Sequence, residues 1–212
     1  IMHTSKSILL IITLFFSTLG FGQSFQPQNK QQLQSAVFSW IHQNETALSN
    51  YGEINTWDVS LITDMFALFA DAHGFNDDIS DWNVSNVTNM QFMFDGAISF
   101  NQPLDDWDVS NVTNMEGMFL NNHQFNQPLD SWNVSSVTTM KYMFQQAHSF
   151  NGDISTWDVS NVNNMEAMFK DTFFHQDISS WNVSNVTNLN STFMASGFHG
   201  EISAWDVSNV TD

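Results

Sequence analysis

The chain has 212 residues, with 22 acidic side chains against four basic ones, no Arg, no Cys and a formal net charge of −18 at pH 7. So negative a field repels nucleic acid and anionic membrane surfaces, and the lack of Cys excludes a disulfide framework and thiolate chemistry. Hydrophobic residues at 42% and aromatics at 14% are too many for a disordered acidic tail.

In chain order, the first predicted element is an export leader over residues 1–22. Lys6 supplies its cation, Ile8 to Phe16 its apolar run, and Gly20 and Gly22 the small residues before a cut at Gln23. The run is too short to span about 30 Å of hydrocarbon, so the mature chain is expected outside the cell or on its surface, without membrane insertion. Residues 23–50 follow as an N-terminal capping helix. Leu33, Ala36, Val37, Trp40, Ile41 and Leu48 recur there at helical spacing among polar residues.

Residues 51–212 are a repeat. Trp57, Trp82, Trp107, Trp132 and Trp157 lie 25 residues apart, and Trp181 and Trp205 follow at steps of 24. Each opens the tetrapeptide Trp-Asp/Asn-Val-Ser. A stretch such as Val112-Thr113-Asn114-Met115-Glu116-Gly117-Met118-Phe119 comes next, and then a loop to a second Phe, as at Phe125. The loop is one residue shorter before Phe174 and Phe198, which accounts for the 24-residue steps. Trp107 and Val109 alternate with Asp108 and Ser110, the period-two mark of a short half-buried strand. Val112, Met115, Met118 and Phe119 recur at three- and four-residue steps, which predicts a short helix. Thr113 with Glu116, Thr88 with Gln91 and Asn163 with Glu166 are its candidate capping boxes. The predicted fold is an α/β repeat solenoid, leucine-rich-repeat-like, with one short strand and one short helix in each 24–25-residue coil, about seven coils and the N-terminal capping helix. The last unit stops at Asp212, where another would next place its Met, so the solenoid reads as truncated at its C-terminus.

The unit Phe-Asn-x-x-Leu/Ile-x-x-Trp-Asp/Asn-Val-Ser-Asn-Val-Thr-Asn-Met-x-x-Met-Phe resembles the repeat of BspA-like leucine-rich-repeat surface proteins of bacteria. The resemblance covers about residues 51–212 and implies surface location with roles in adhesion or in protein or glycan binding. It implies no catalytic residue and no cofactor. Ordinary leucine-rich repeats carry Asn at the last motif position, where this chain has Val112 and its equivalents. The Asn ladder of that fold is therefore either missing or shifted to Asn111 and its counterparts.

The candidate binding strip follows each Trp: Asp58, Asn83, Asp108, Asn133, Asp158, Asn182 and Asp206, with Ser60, Ser85, Ser110, Ser135 and Ser160 beside them. Acid and amide alternate without exception. Asn between carboxylates doubles the distance between charges and offers N–H donors to either side, so a self-satisfied polar ladder is weighed against a surface that takes a protein or glycan. Asp77, Asp78, Asp81, Asp105, Asp106, Asp130 and Asp153 admit calcium, but no D-x-D-x-D-G loop frames them, and a solvated acidic face is the preferred reading. His73, His123 and His148 share one repeat position, where Ile98 also stands, which favours packing over a metal site. Sequons such as Asn86-Val87-Thr88 and Asn133-Val134-Ser135 recur with the repeat and are set aside on that ground. No nucleophile elbow, phosphate loop or triad order occurs, and nothing singles out one carboxylate pair from a periodic array, so no enzyme is predicted. Two further roles stay open: a spacer displaying a C-terminal domain absent from this sequence, and a calcium-stabilised array.

Overall fold

The computed structural model describes residues 24–212, and the predicted leader lies outside the described residues. Two helices come first, α1 (Lys30–His42) and α2 (Asn44–Tyr51), followed by a 3-10 turn at Ile54–Thr56. Asn29 caps α1 by accepting the Gln32 N–H at 3.0 Å, satisfying one of the orphan donors of a helix start. Leu33, Ala36, Val37 and Trp40 form the buried stripe of α1. A break at Gln43, whose φ of −145° leaves the helical region, divides the segment where a single helix was expected.

α1 and α2 sit against the first repeat. The Trp40 ring meets Trp57 edge-on at 5.9 Å between centroids, and its Nε1 donates to Asp77 at 2.7 Å. Lys30 Nζ reaches Asp64 at 2.8 Å.

The predicted α/β solenoid is overturned. Among the described residues there is no extended strand, and the helices all precede Trp57. Each 24–25-residue unit, here called a coil, is built from consecutive turns, and pairing between coils is reduced to isolated parallel bridges such as Asn89↔Asn114 and Asn114↔Thr139. Left-handed residues explain why the Met-Phe segment is not helical. Ala67, Phe92, Gly117, Tyr142, Ala167 and Ser191, two positions after the Met or Leu, have φ between 50° and 60°. Four positions on, Asp71, Gly96, Asn121, Gln146, Asp171 and Ala195 are left-handed again. An α-helix admits no such residue.

These reversals aim alternate N–H groups along the stack. The amides of Ala67, Phe69 and Asp71 donate to the carbonyls of Gln91, Met93 and Asp95 in the next coil, at 2.9, 2.8 and 2.7 Å. The intervening amides close three-residue turns: Leu68 onto Met65, Ala70 onto Ala67, Ala72 onto Phe69. The backbone of the Met-Phe segment is thus bonded by turn and neighbour without a strand. For the non-glycine residues, left-handed geometry costs roughly 1–2 kcal/mol each, which the inter-coil hydrogen bonds offset. At Gly117 a Cβ would come within 2.3 Å of the Phe92 ring, so a larger residue there would have to displace that ring.

The predicted capping boxes are replaced by another device. Thr113 and Thr88 direct their hydroxyls to the carbonyls of the preceding coil, Thr88 and Thr63, at 3.1 Å each. The N–H groups of Glu116, Gln91 and Glu166 go instead to the side-chain oxygens of Asn114, Asn89 and Asn164.

The core is a set of aromatic and methionine columns. Phe69, Phe94, Phe119, Phe144, Phe169 and Phe193 stack at 5.4 to 5.9 Å between centroids, and Phe75, Phe100, Phe125, Phe150, Phe174 and Phe198 form a second column beside them. Each such contact contributes about 0.5–1.5 kcal/mol beyond area burial. The Trp residues form a third column, and each indole N–H from Trp82 onward donates to an apolar residue of the preceding coil: Trp82 to Ile54, Trp107 to Ile79, Trp132 to Leu104, Trp157 to Leu129. A buried Trp needs such a partner; Trp57 finds it at the Gly52 carbonyl, and from Trp82 onward the preceding coil supplies it.

Candidate functional site

The strip after each Trp is held in place locally. Asp58, Asp108, Asp158 and Asp206 accept the backbone N–H of Ser60, Ser110, Ser160 and Ser208 on Oδ1, at 3.0 to 3.1 Å. Asn83, Asn133 and Asn182 accept the N–H groups of Ser85, Ser135 and Ser184 likewise, and each Asn Oδ1 also accepts the same Ser hydroxyl, at 2.7, 2.7 and 2.8 Å. These are Asx turns, the local closure that Asp and Asn side chains favour. The polar ladder weighed for neighbouring strip residues is not formed: each Oδ1 is bonded within its own coil, and no hydrogen bond joins one strip residue to the next. The cross-coil links fall one step along, on Asn86, Asn111, Asn161, Asn185 and Asn209, whose Nδ2 donates to the Ser60, Ser85, Ser135, Ser160 and Ser184 carbonyls. Of the two alternatives for the Asn ladder, the shift to Asn111 and its counterparts is the one the structure contains, at an exposed position.

The strip carries fixed negative charge. The Ser hydroxyl and backbone N–H beside Asp108, Asp158 and Asp206 hold these carboxyls below the ordinary Asp range. Asp58 is lowered as well, first by Ser60, but its second oxygen is occupied by Gln26 Nε2 at 2.6 Å. The exposed strip therefore begins at Asn83.

Four of the other acidic residues serve separate contacts. Asp77 meets Trp40, Asp78 and Asp81 meet the Asn55 amide at 3.3 and 2.9 Å, and Asp153 closes a turn onto Ser155. Among the described residues no three His, Asp or Glu side chains converge on a position fit for a metal ion. His123 and His148 stack in successive coils at 4.6 Å between rings, and burial, then the charge of His148, pushes His123 below the ordinary His range. A cleft of about 430 Å³ between α1 and the first coil is lined by His42, Asp71, His73 and Asp77.

A second polar face was missed from sequence. On the Met-Phe turns, Lys141 pairs with Glu166 at 2.9 Å, Tyr142 donates its hydroxyl to the same carboxylate at 2.8 Å, and Phe66 meets Phe92 edge-on at 6.2 Å. The one visible trace was the alternation of large and small residues through Ala67, Phe92, Gly117, Tyr142 and Ala167.

No helix among the described residues is long and apolar enough to cross a membrane. A family model described as "Mycoplasma protein of unknown function, DUF285" matches residues 35–154 and again 123–212. No curated protein and no solved structure matches the chain.

Proposed function

The chain belongs to the DUF285 family, and from that premise we propose that it is an exported, BspA-like surface protein that binds a protein or glycan partner through the strip Asn83, Asp108, Asn133, Asp158, Asn182 and Asp206. The observation that carries this reading is the local fixing of every strip residue. Each Oδ1 is tied to its own Ser turn, so the remaining Asp oxygen and Asn amide are oriented before any partner arrives. Groups set in advance lose little rotamer freedom on binding, and that saving raises affinity. Alternation places the carboxylates two coils apart, about 10 Å from the strand-like spacing of about 4.8 Å per coil. A partner with cationic or hydrogen-bonding groups at that repeat fits the face. The array offers no unique acid–base pair, so the reading includes no enzyme activity.

The test is binding of the folded chain to immobilised protein and glycan libraries, followed by the double substitution Asp108→Asn with Asp158→Asn. Asn keeps the turn acceptor while removing the charge. Binding should weaken at least tenfold at unchanged melting temperature. Undiminished binding would remove the strip from the account.

A second reading, a spacer that holds another domain away from the surface, is favoured by the unbroken aromatic columns and inter-coil hydrogen bonds. It expects no partner for the strip and a function that depends on the number of coils.

A further inference from the structure

We propose that Asn83, Asn133 and Asn182 are N-glycosylation acceptors, each taking an oligosaccharide on Nδ2 from a glycosyl diphosphate donor. Two registers of the sequon Asn-x-Ser/Thr recur with the coils, Asn44-Glu45-Thr46 and Asn190-Ser191-Thr192 standing outside them, and the structure separates the two registers sharply.

In one register the chemistry is blocked. Asn86, Asn111, Asn185 and Asn209 donate Nδ2 to the Ser60, Ser85, Ser160 and Ser184 carbonyls at 2.6 to 2.8 Å. The hydroxyls of their sequon threonines, Thr88, Thr113, Thr187 and Thr211, are likewise committed to carbonyls of the preceding coil at 3.1 to 3.2 Å. Both groups that a transferase must engage are part of the inter-coil lattice.

In the other register neither group is tied to the inter-coil lattice, and the Ser hydroxyl is bonded to the acceptor amide itself. Asn83, Asn133 and Asn182 are exposed, and their Nδ2 groups donate to no described residue. Each Oδ1 accepts the hydroxyl and the backbone N–H of the Ser in its own sequon. A carboxamide nitrogen is a poor nucleophile because its lone pair is delocalised into the carbonyl. Hydrogen bonds into Oδ1 polarise the amide and make the Nδ2 protons more acidic, so that a base on the transferase can remove one. The Nδ2–C1 bond forms as the C1–O bond breaks, and the diphosphate leaves with the bonding electrons.

The same position carries Asp58, Asp108, Asp158 and Asp206 in the remaining coils, with the same Ser turn but no amide to glycosylate. The regular Asp/Asn alternation then acts as a spacing rule. Sugars are held two coils apart, about 10 Å, with a carboxylate between them, and a chain so modified no longer offers the Asn amides of the strip to a partner.

In the cell the modification rests on the export reading, since the donor and transferase are met there. The experiment does not: the folded chain is incubated with a lipid-linked oligosaccharide and an oligosaccharyltransferase that modifies the same chain, unfolded, in both registers. Glycopeptide mass spectrometry should find Asn83, Asn133 and Asn182 occupied at least tenfold above Asn86, Asn111, Asn185 and Asn209. The substitution Asp108→Asn, which keeps the turn acceptor, should add a fourth site at that position. Equal occupancy of the two registers, a folded chain bare at Asn83, Asn133 and Asn182, or no gain from Asp108→Asn would overturn the proposal. Loss of adhesion or of export would leave these results unchanged.

Discussion

Asn122 has a fully buried side chain whose Nδ2 finds no hydrogen-bond partner among the described residues. Its equivalents are Ala72, Ala97 and Ala147, where the following Phe amide closes a turn onto the Ala carbonyl. In the coil of Asn122 the Phe125 amide turns to Oδ1 instead, at 3.1 Å. The shorter coils show what a polar residue here needs: Thr172 donates to the Phe169 carbonyl at 2.8 Å, and its Oγ1 accepts the Phe174 amide. Thr172 is satisfied as donor and acceptor, Asn122 only as acceptor. A buried unpaired donor costs about 1–3 kcal/mol. Asn122→Ala, which lets Phe125 return to the backbone turn, should therefore raise stability by roughly 1 kcal/mol in urea unfolding. A lower midpoint would mean that an unseen partner serves Nδ2. The position was readable in sequence only as an exception to Ala, since nothing in the spacing says whether an amide will be satisfied. The left-handed positions were partly readable. Asp71, Gly96, Asn121 and Asp171 are residue types that tolerate positive φ, but Phe92, Tyr142 and Gln146 at similar angles give no such sign.

Among the elements, α1 was legible from its apolar stripe, and the turns of the coils were misread for a physical reason. A three-residue turn returns every third side chain to the core, as in Met65 to Leu68 or Met115 to Met118, and that step imitates one face of a helix. Likewise Trp107 and Val109 are buried while Asp108 is exposed, so the alternation is real. The turn from Leu104 to Trp107 and the Asx turn at Asp108 close the segment before a strand can extend. How α1 is attached was not legible, because Lys30 and Asp64 are 34 residues apart. Burial works to raise the Asp64 pKa, but the hydrogen bond from Lys30, the Phe66 amide, the Lys30 charge and the Asn89 amide together outweigh it, and the carboxyl lies below its ordinary range. A carboxyl with a depressed folded pKa adds stability above its unfolded value, near 3.9, and loses it as the pH falls through the folded one. The side chains are 29% and 41% exposed, so the pair is worth at most about 1 kcal/mol and weakens in salt. Below about pH 4 the amides of α1 should exchange with deuterium earlier than those of the Met-Phe turns, and Asp64→Asn should bring that loss to neutral pH. Equal protection of both regions down to acid unfolding would show that Trp40 and the apolar stripe hold α1 without the ion pair.

For the molecule as a whole, the period of 25 was the most legible feature of the sequence and the one with the largest structural consequence. Hydrogen bonds, aromatic contacts and Trp N–H groups each join one coil to the next, so stability is a sum of coils and nearest-neighbour interfaces. Sequence did not reveal that these interfaces need no strand, because the inter-coil bonds come from turn amides that carry no periodic side-chain mark. The additive picture predicts the result of shortening the stack. Deleting residues 101–125 joins Phe100 to Asn126 and leaves Asn-Gln-Pro-Leu after the Phe, as in the parent. Phe94 then faces Phe144 where it faced Phe119, and the Gly96 amide finds the Gln145 carbonyl in place of that of Leu120. The shortened chain should fold with the same circular dichroism per residue, and its urea m-value should fall roughly in proportion to the residues removed. Deleting residues 101–112 instead would bring Phe100 against Thr113 and put polar side chains opposite every column, so that chain should not fold cooperatively. If both deletions fold equally well, the columns are not what registers the coils. If neither folds, the coils depend on contacts beyond their nearest neighbours, contrary to the additive account.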